Sequence, residues 1–339
     1  MTVSEFPALS VVLPTFNESA WLPETLERLR AAIAAAELTK VEIVVVDDGS
    51  TDDTAAVLDR QPRDPALEVL TLANSGRLAA RRAGLDAATG ELVLFIDSRV
   101  HAHIDSLAFV RREIEAHPER LIWNGHAITA STSAPWTRFW DAIVFLAWRR
   151  YLRQPTTTSY GADDFEYYPK GTTFFLAPKE WLIEASDSVN SLSADPALSN
   201  DDTIMIRNLL RYGRINISPE FACTYHPRST FRAFMRNAYH RGSVLVDGHL
   251  RPGLRFHRPF QAVLLALPLA VLWAVRRPRR LVAGPIGASA AAGVLAKAAG
   301  VPTRDAGSLG LLLVPFSIAY GAGIVRGFRV RDRGDHSMP

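Results

Sequence analysis

The sequence predicts an α/β layer of parallel strands and helices, followed by a hydrophobic region directed at a membrane. Three observations carry that prediction. Val41, Ile43, Val44, Val45 and Val46 form a nearly continuous β-branched run, as expected of a parallel strand covered on both faces. That run stops at Asp47 and Asp48, and a second aliphatic run, ELVLFI from Glu91 to Ile96, stops in the same way at Asp97. Far downstream, three hydrophobic segments follow a cluster of arginines.

Taken in order, Ser10–Leu13 reads as a short strand that PTFNES, Pro14 to Ser19, ends with turn chemistry. Leu22, Leu26, Leu29 and Ile33 recur at helical spacing. After the β-branched strand, Gly49 permits a tight turn, Ser50 can cap the next helix, and Asp53 suits its positive end. Leu67–Leu72 is a third strand, Ser75–Ala88 an alanine-rich helix, and Glu91–Ile96 a fourth strand. In such doubly wound sheets ligands bind beyond the carboxyl ends of the strands. Two strands that release carboxylates at one edge suit a nucleotide with a divalent cation.

Composition bounds the function. The 339 residues carry a formal charge of +3, with lysine only at Lys40, Lys170, Lys179 and Lys297, so arginine supplies nearly all the positive charge. Much of it lies in the C-terminal half, which argues for a local basic surface and against a protein that coats nucleic acid. Cys223, the sole cysteine, excludes an internal disulfide and a cysteine zinc cluster. The first sixteen residues hold Glu5 and no basic leader region, so no signal peptide is expected and the N-terminal part should be cytosolic.

The middle of the chain is less specific. Trp136, Phe139, Trp140, Phe145, Leu146 and Trp148, interrupted by Arg138, Arg149, Arg150 and Arg153, fit an amphipathic helix. Such a helix either lies in a membrane interface or packs into a core. Thr156–Gly161 and Asp163–Tyr168 read as a mobile loop over an acceptor site, and Gly171–Leu176 as a strand. Asp201 and Asp202 open a helix whose apolar residues are Ile204, Met205, Leu209 and Leu210.

With these pieces placed, residues 8 to 245 resemble a family 2 glycosyltransferase of the GT-A fold, a Rossmann-like mixed sheet that binds nucleotide-diphospho-sugars. The matching stretches are VVLPTFNES from Val11, VVVDDGSTDDT from Val44, NSGRLAARRAGLDAATGELVLFID from Asn74, and NDDTIMIRNLLRYG from Asn200. The resemblance implies that Pro14, Thr15, Asn17 and Glu18 line the nucleotide pocket and that Asp47 and Asp48 contact base and ribose. Asp97 matches the first acid of the family's metal motif. Arg99 stands where the second acid is expected. An arginine cannot ligate Mg²⁺ or Mn²⁺, but its planar fork can bind phosphate oxygens. The expectations are therefore that Arg99 supplies charge that metal supplies elsewhere, or that His101 or His103 completes a metal site with Asp97. Asp202 matches the catalytic base, with Asp201 in place of the usual glutamate before it. The implied reaction is inverting transfer from a UDP- or GDP-sugar to a lipid-linked saccharide or surface polysaccharide. Its rivals are transfer directly to a polyprenyl phosphate and a non-catalytic nucleotide-sugar-binding scaffold.

From Tyr225 to Gly242, Phe231, Phe234, Met235, Ala238 and Tyr239 share one helical face, and Arg232, Arg236, His240 and Arg241 another. This basic amphipathic helix is expected to rest on anionic lipid. By the resemblance, Arg228, Arg236 and Arg241 would meet the donor diphosphate or a lipid-phosphate acceptor. Leu281–Val301 and Ala306–Val325 are long enough to span a bilayer, whereas Pro259–Val275 is shorter and contains Pro268. Arginine placement favours two crossings, a re-entrant Pro259–Val275 and a cytosolic C-terminus. The organisation expected is a catalytic domain over 1–225, an interface helix and linker over 226–258, a membrane region over 259–326 and a basic tail over 327–339. The protein is thus expected as a multi-pass protein of the bacterial plasma membrane with its catalytic domain in the cytoplasm.

Overall fold

The computed structural model describes residues 6–131, 134–188, 201–227, 230–249 and 280–335. The chain divides into two compact units. One is made of Met1–Ala130, Gln154–Val189 and Asp201–Pro227; the other includes Ser131–Arg153 and Arg228–Pro339. The tryptophan-rich segment therefore groups with the C-terminal helices and not with the sheet.

The first unit is built on a nine-stranded sheet. Its strands are β1 (Leu9–Thr15), β2 (Val41–Asp47), β3 (Ala66–Thr71), β4 (Leu92–Ile96), β5 (Val100–Ala102), β6 (Trp123–Thr129), β7 (Thr158–Tyr160), β8 (Phe174–Pro178) and β9 (Ile215–Tyr225). They are ordered β3-β2-β1-β4-β8-β6-β9-β5, with β7 paired to β9. The β3-β2-β1-β4 half is parallel, as βα crossovers require, and β8 enters antiparallel to β4. Thr15 lies in register with Asp47, so β1 and β2 end level at one edge.

Burial explains why these runs are strands. Val11, Val12, Leu13 and Ile43 to Val46 are fully buried, whichever face their side chains take. Helix α1 (Leu22–Ala35) covers one face with Leu22, Leu26 and Leu29, each fully buried and worth about 1.5–3 kcal/mol. The short α2 (Thr54–Asp59) follows β2, and α3 (Arg77–Ala87) crosses back from β3 to β4. Helix α4 (Ser106–Ala116) adds Leu107, Val110 and Ile114 to the α1 side of the core. Gly49, with φ 75°, is required by its turn: a Cβ there would fall 2.8 Å from the Asn74 amide nitrogen.

The second unit is helical. Its elements are α5 (Pro135–Ala147) and α6 (Arg149–Leu152); later in the chain, after α7 (Lys179–Asp187) and α8 (Asp201–Asn208) of the first unit, come α9 (Phe231–His249), α10 (Arg280–Ala298) and α11 (Thr303–Asp335). Phe139 and Ala142 of α5, Phe234 of α9, Ala296, Val301, Ala306, Leu309 and Leu312 make one buried cluster. The core alternative thus holds for the inner face of α5. On the apolar face of α9, Phe234 and Ala238 are buried, whereas Phe231 and Tyr239 remain exposed. Among the described residues one helix, over Thr303–Arg329, is long and apolar enough to cross a membrane. The expected second crossing, Leu281–Val301, forms α10 without meeting that standard, and Pro259–Val275 lies outside the described residues.

Candidate functional site

The carboxyl edge of β1, β2 and β4 collects the residues that the sequence singles out. Two loops are laced together there. Asn17, at φ 54°, accepts hydrogen bonds on Oδ1 from the Thr51 amide at 2.7 Å and the Asp52 amide at 3.3 Å, while its own amide donates to Ser50 Oγ at 2.8 Å. The Glu18 amide donates to Thr54 Oγ1 and the Ser19 amide to Asp52. Burial pushes the Asp52 carboxyl up, but hydrogen bonds from Thr54 and Ser19 outweigh it and hold the pKa at about 2.

Asp47 and Asp48 are both buried. Asp47 Oδ1 accepts from the Ser50 amide at 3.0 Å. Asp48 accepts from the Ser75 amide at 2.6 Å and the Gly76 amide at 2.8 Å, which ties the loop after β2 to the start of α3. Pro14 and Thr15 are buried beside them, and the Thr15 hydroxyl has no hydrogen-bond partner.

The two candidate acids meet on an arginine that the motifs do not single out. Arg81 of α3 is buried, and its two terminal nitrogens divide between the two candidate acids: Nη2 lies 2.9 Å from Asp97 Oδ1 and Nη1 2.6 Å from Asp202 Oδ1. Arg77, one turn earlier, approaches Asp202 Oδ2 at 3.6 Å. The end of β4 and the start of α8, remote in sequence, are thereby joined. Burial would raise the Asp202 carboxyl, yet Arg81 and Arg77 overcome it and hold the group below its ordinary value. Asp202 is accordingly an ionised carboxylate. The available signal for Arg81 was its spacing: Arg77 and Arg81, four residues apart on an alanine-rich helix, share a face.

Arg99 is held close by. Its Nε donates to Glu18 Oε2 at 2.7 Å, and its guanidinium lies over the Trp21 ring at 4.9 Å. The fork is therefore positioned by a buried acid and an aromatic face. His101 and His103 do not join Asp97. The His101 ring lies 4.2 Å from that of His226, and its Nδ1 is 3.5 Å from Glu24; His103 Nε2 pairs with Thr224 Oγ1 at 2.9 Å. Burial, and for His101 also the neighbouring His226, push both imidazoles below their ordinary value.

These contacts test the fit of a divalent cation. Among the described residues no three His, Cys, Asp or Glu side chains converge on a metal position. Asp97 already meets a guanidinium, and the next expected ligand is itself a cation, Arg99. A divalent cation here would rest on Asp97, water and the oxygens of the donor diphosphate, the way Mg²⁺ is commonly held, and would compete with Arg81 for Asp97.

The remaining expected residues are placed less centrally. Asp201 begins α8, but its side chain, like Arg228, lies outside the described residues. Arg236 and Arg241 are exposed on α9 of the second unit, Arg241 over Trp140 at 4.8 Å. The segment expected to form a loop over the acceptor site contacts α8. Glu166 pairs with Arg207 at 2.6 Å, Arg207 and Lys170 both lie over the buried Phe165 ring, and Tyr160 stacks on Tyr168.

Known proteins resemble this chain in family and fold. The model of the glycosyl transferase family 2 matches residues 10–177. The undecaprenyl-phosphate 4-deoxy-4-formamido-L-arabinose transferase of Sodalis glossinidius is 38% identical over 100 residues, 29% of this chain and 30% of that protein. Its counterpart from Pseudomonas aeruginosa is 43% identical over 94 residues, 26% of this chain and 27% of that protein. These matches thus span less than a third of those relatives. A mannosyltransferase from Pyrobaculum calidifontis, solved with GDP-Man and Mn²⁺, shares the fold with a TM-score of 0.53 at 21% identity, over 93% of this chain and 87% of that one.

Proposed function

Residues 10–177 belong to the glycosyl transferase family 2 and take the GT-A fold, and on that premise we propose that the protein transfers a sugar from a UDP- or GDP-sugar to a lipid-linked acceptor at a bacterial plasma membrane. The observation that carries the proposal is the meeting of Asp97 and Asp202 on Arg81. A sugar hydroxyl is a weak nucleophile, and a positioned carboxylate that takes its proton contributes about 10²–10⁴-fold. Asp202 meets that requirement because two guanidiniums keep it ionised.

In this reading the nucleotide lies along the β1 and β2 ends, where Asp47, the unpartnered Thr15 hydroxyl and Asn17 offer polar contacts. Asp48 acts through the loop that it holds to α3. As the acceptor oxygen bonds to the anomeric carbon, the bond to the diphosphate breaks on the opposite side, its electron pair leaves with the diphosphate, and the proton passes to Asp202. One displacement inverts the anomeric centre. The departing charge is met by the Arg99 fork, which Glu18 and Trp21 orient, with Arg77 and Arg81 nearby on α3.

The names of the relatives favour a second reading of the acceptor, an undecaprenyl-type phosphate. A phosphate oxygen is already anionic and needs no base. The test is nucleotide diphosphate release from UDP- and GDP-sugars by membranes containing the protein, with and without EDTA, with lipid-linked saccharide or polyprenyl phosphate as acceptor. Release that survives EDTA and disappears in Asp202→Asn supports the saccharide reading with arginine in place of metal. Asp202→Asn activity retained only with polyprenyl phosphate selects the second. No release with either acceptor would leave a nucleotide-sugar-binding scaffold.

A further inference from the structure

Among its described residues the helical unit has one long apolar helix, and the neighbours of that helix bear directly on how it meets a membrane. Phe316 stands at the midpoint of the Thr303–Arg329 segment of α11. Its ring lies 4.8 Å from Phe139 and 5.5 Å from Trp140, both on α5, and 6.4 Å from Phe234 of α9. Two turns on, glycines bring the backbones of α9 and α11 together. A Cβ on Gly323 would fall 2.0 Å from the Tyr239 carbonyl oxygen, and one on Gly242 2.1 Å from that of Tyr320. Phe234 thus neighbours Phe316 and Gly242 neighbours Gly323, so α9 runs parallel to α11 over this stretch.

Helix α9 is a poor companion inside hydrocarbon. Arg232, Arg236 and His240 are exposed on its outward face. Were Thr303–Arg329 to cross a bilayer, Arg232 and Arg236, each within a turn of Phe234, would stand near mid-depth and point outward. Arginines in that position are costly and, where found, face a bundle interior or an aqueous cavity. A course in the plane of the membrane removes the conflict.

We infer that α5, α9, α10 and α11 form a platform that lies in the headgroup layer of an anionic bilayer without α11 crossing it. The exposed surface fits this placement. Leu311, Ile318 and Val325 recur every seven residues along α11, and are 70%, 66% and 50% exposed. Ile286, Val294 and Leu295 add a second apolar strip on α10. A helix lying in the interface buries such a strip along its whole length while arginines reach the lipid phosphates. Charge selects lipid over a second copy of the chain, because the unit also exposes Lys297, Arg304 and Arg329 beside the strips. Two such surfaces would repel each other.

The test is the depth of three positions in the full-length protein reconstituted in phosphatidylcholine vesicles containing phosphatidylglycerol. Leu311→Cys, Ile318→Cys and Val325→Cys each carry a bimane label; the native Cys223 is fully buried and stays unlabelled. Successive positions are about 10 Å apart along the helix axis. Nitroxides placed near the headgroup or deep in the acyl chain then quench each label. The expected result is the same shallow-over-deep ratio at all three positions. A graded ratio with Ile318 deepest would overturn the inference, since α11 would then cross. Absence of quenching at all three would equally overturn it, because protein or water would then cover the face. Unchanged shallow quenching in vesicles lacking phosphatidylglycerol would remove the anionic lipid from the proposal.

Discussion

Replacement of Arg81 by methionine removes one charge and keeps most of the buried volume. In the native arrangement the Arg81 side chain is 6% exposed and lies 2.9 Å from Asp97 and 2.6 Å from Asp202, which are 26% and 23% exposed. Without it Asp202 retains Arg77, at 3.6 Å on a side chain that is 58% exposed, and the Thr172 hydroxyl. Loss of one partner from a fully buried ion pair costs about 3–5 kcal/mol, and the solvent that both acids retain lowers this to about 2–3 kcal/mol. The same change acts on protonation. An adjacent guanidinium lowers a carboxyl by about 1–3 units, so its removal lets burial raise Asp202. A carboxylate with a depressed folded-state pKa contributes stability above its unfolded-state pKa and loses it as pH falls through the folded value. The wild-type protein therefore keeps this contribution at neutral pH and loses it only below the ordinary carboxylate range. The assay pairs thermal unfolding with the pH dependence of kcat/KM. The expected result is a lower Tm and an acid limb moved to higher pH. An unmoved acid limb together with a stability loss under about 0.5 kcal/mol would refute the reasoning.

Other perturbations probe separate parts of the molecule. Arg99→Lys keeps the charge and loses the fork that binds Glu18; removal of a charged hydrogen bond of about 1.5–3 kcal/mol should raise the donor KM about 10-fold or more, as read by initial rates, with no change in EDTA response. Gly323→Ala places a methyl against the Tyr239 carbonyl and should cost about 1–3 kcal/mol in thermal unfolding, whereas Gly307→Ala, with open space at its Cβ, should be neutral or slightly stabilising. His101 and His226, their rings 4.2 Å apart, are both held below the ordinary imidazole pKa, mainly by burial. The unfolded chain then binds more protons, so Tm should fall as pH drops below about 6.5, and His101→Phe should flatten that slope.

Local pattern made much of the first unit legible. The β-branched run at Val41–Val46 and the aliphatic run at Leu92–Ile96 read as buried strands because full coverage on both faces demands apolar side chains at consecutive positions. Their terminal acids fall at one edge of the sheet because the ends of parallel strands all open on the same side. Helix α3 was also expected, from alanine content, within one or two residues of its observed start and end.

What spacing could not supply was the partner of each charge. Asp202 is 121 positions from Arg81 in sequence, so their bond exists only because α8 and α3 meet at the end of β4. Arg99 looked like a free phosphate fork, and the structure gives it a buried acid and a tryptophan that aim it. His101 and His103 looked like ligands for Asp97, but β5 pairs with β9, and their rings engage His226 and Thr224 instead. Likewise, the two faces of α9 followed from its sequence, whereas close glycine packing against α11 decided that Phe234 and Ala238 of its apolar face are buried while Phe231 and Tyr239 are not. Strand and helix reside in short-range pattern and backbone propensity, so the sequence by itself determined them; which charges meet, and which faces remain open, depends on chain segments brought together only by the tertiary fold.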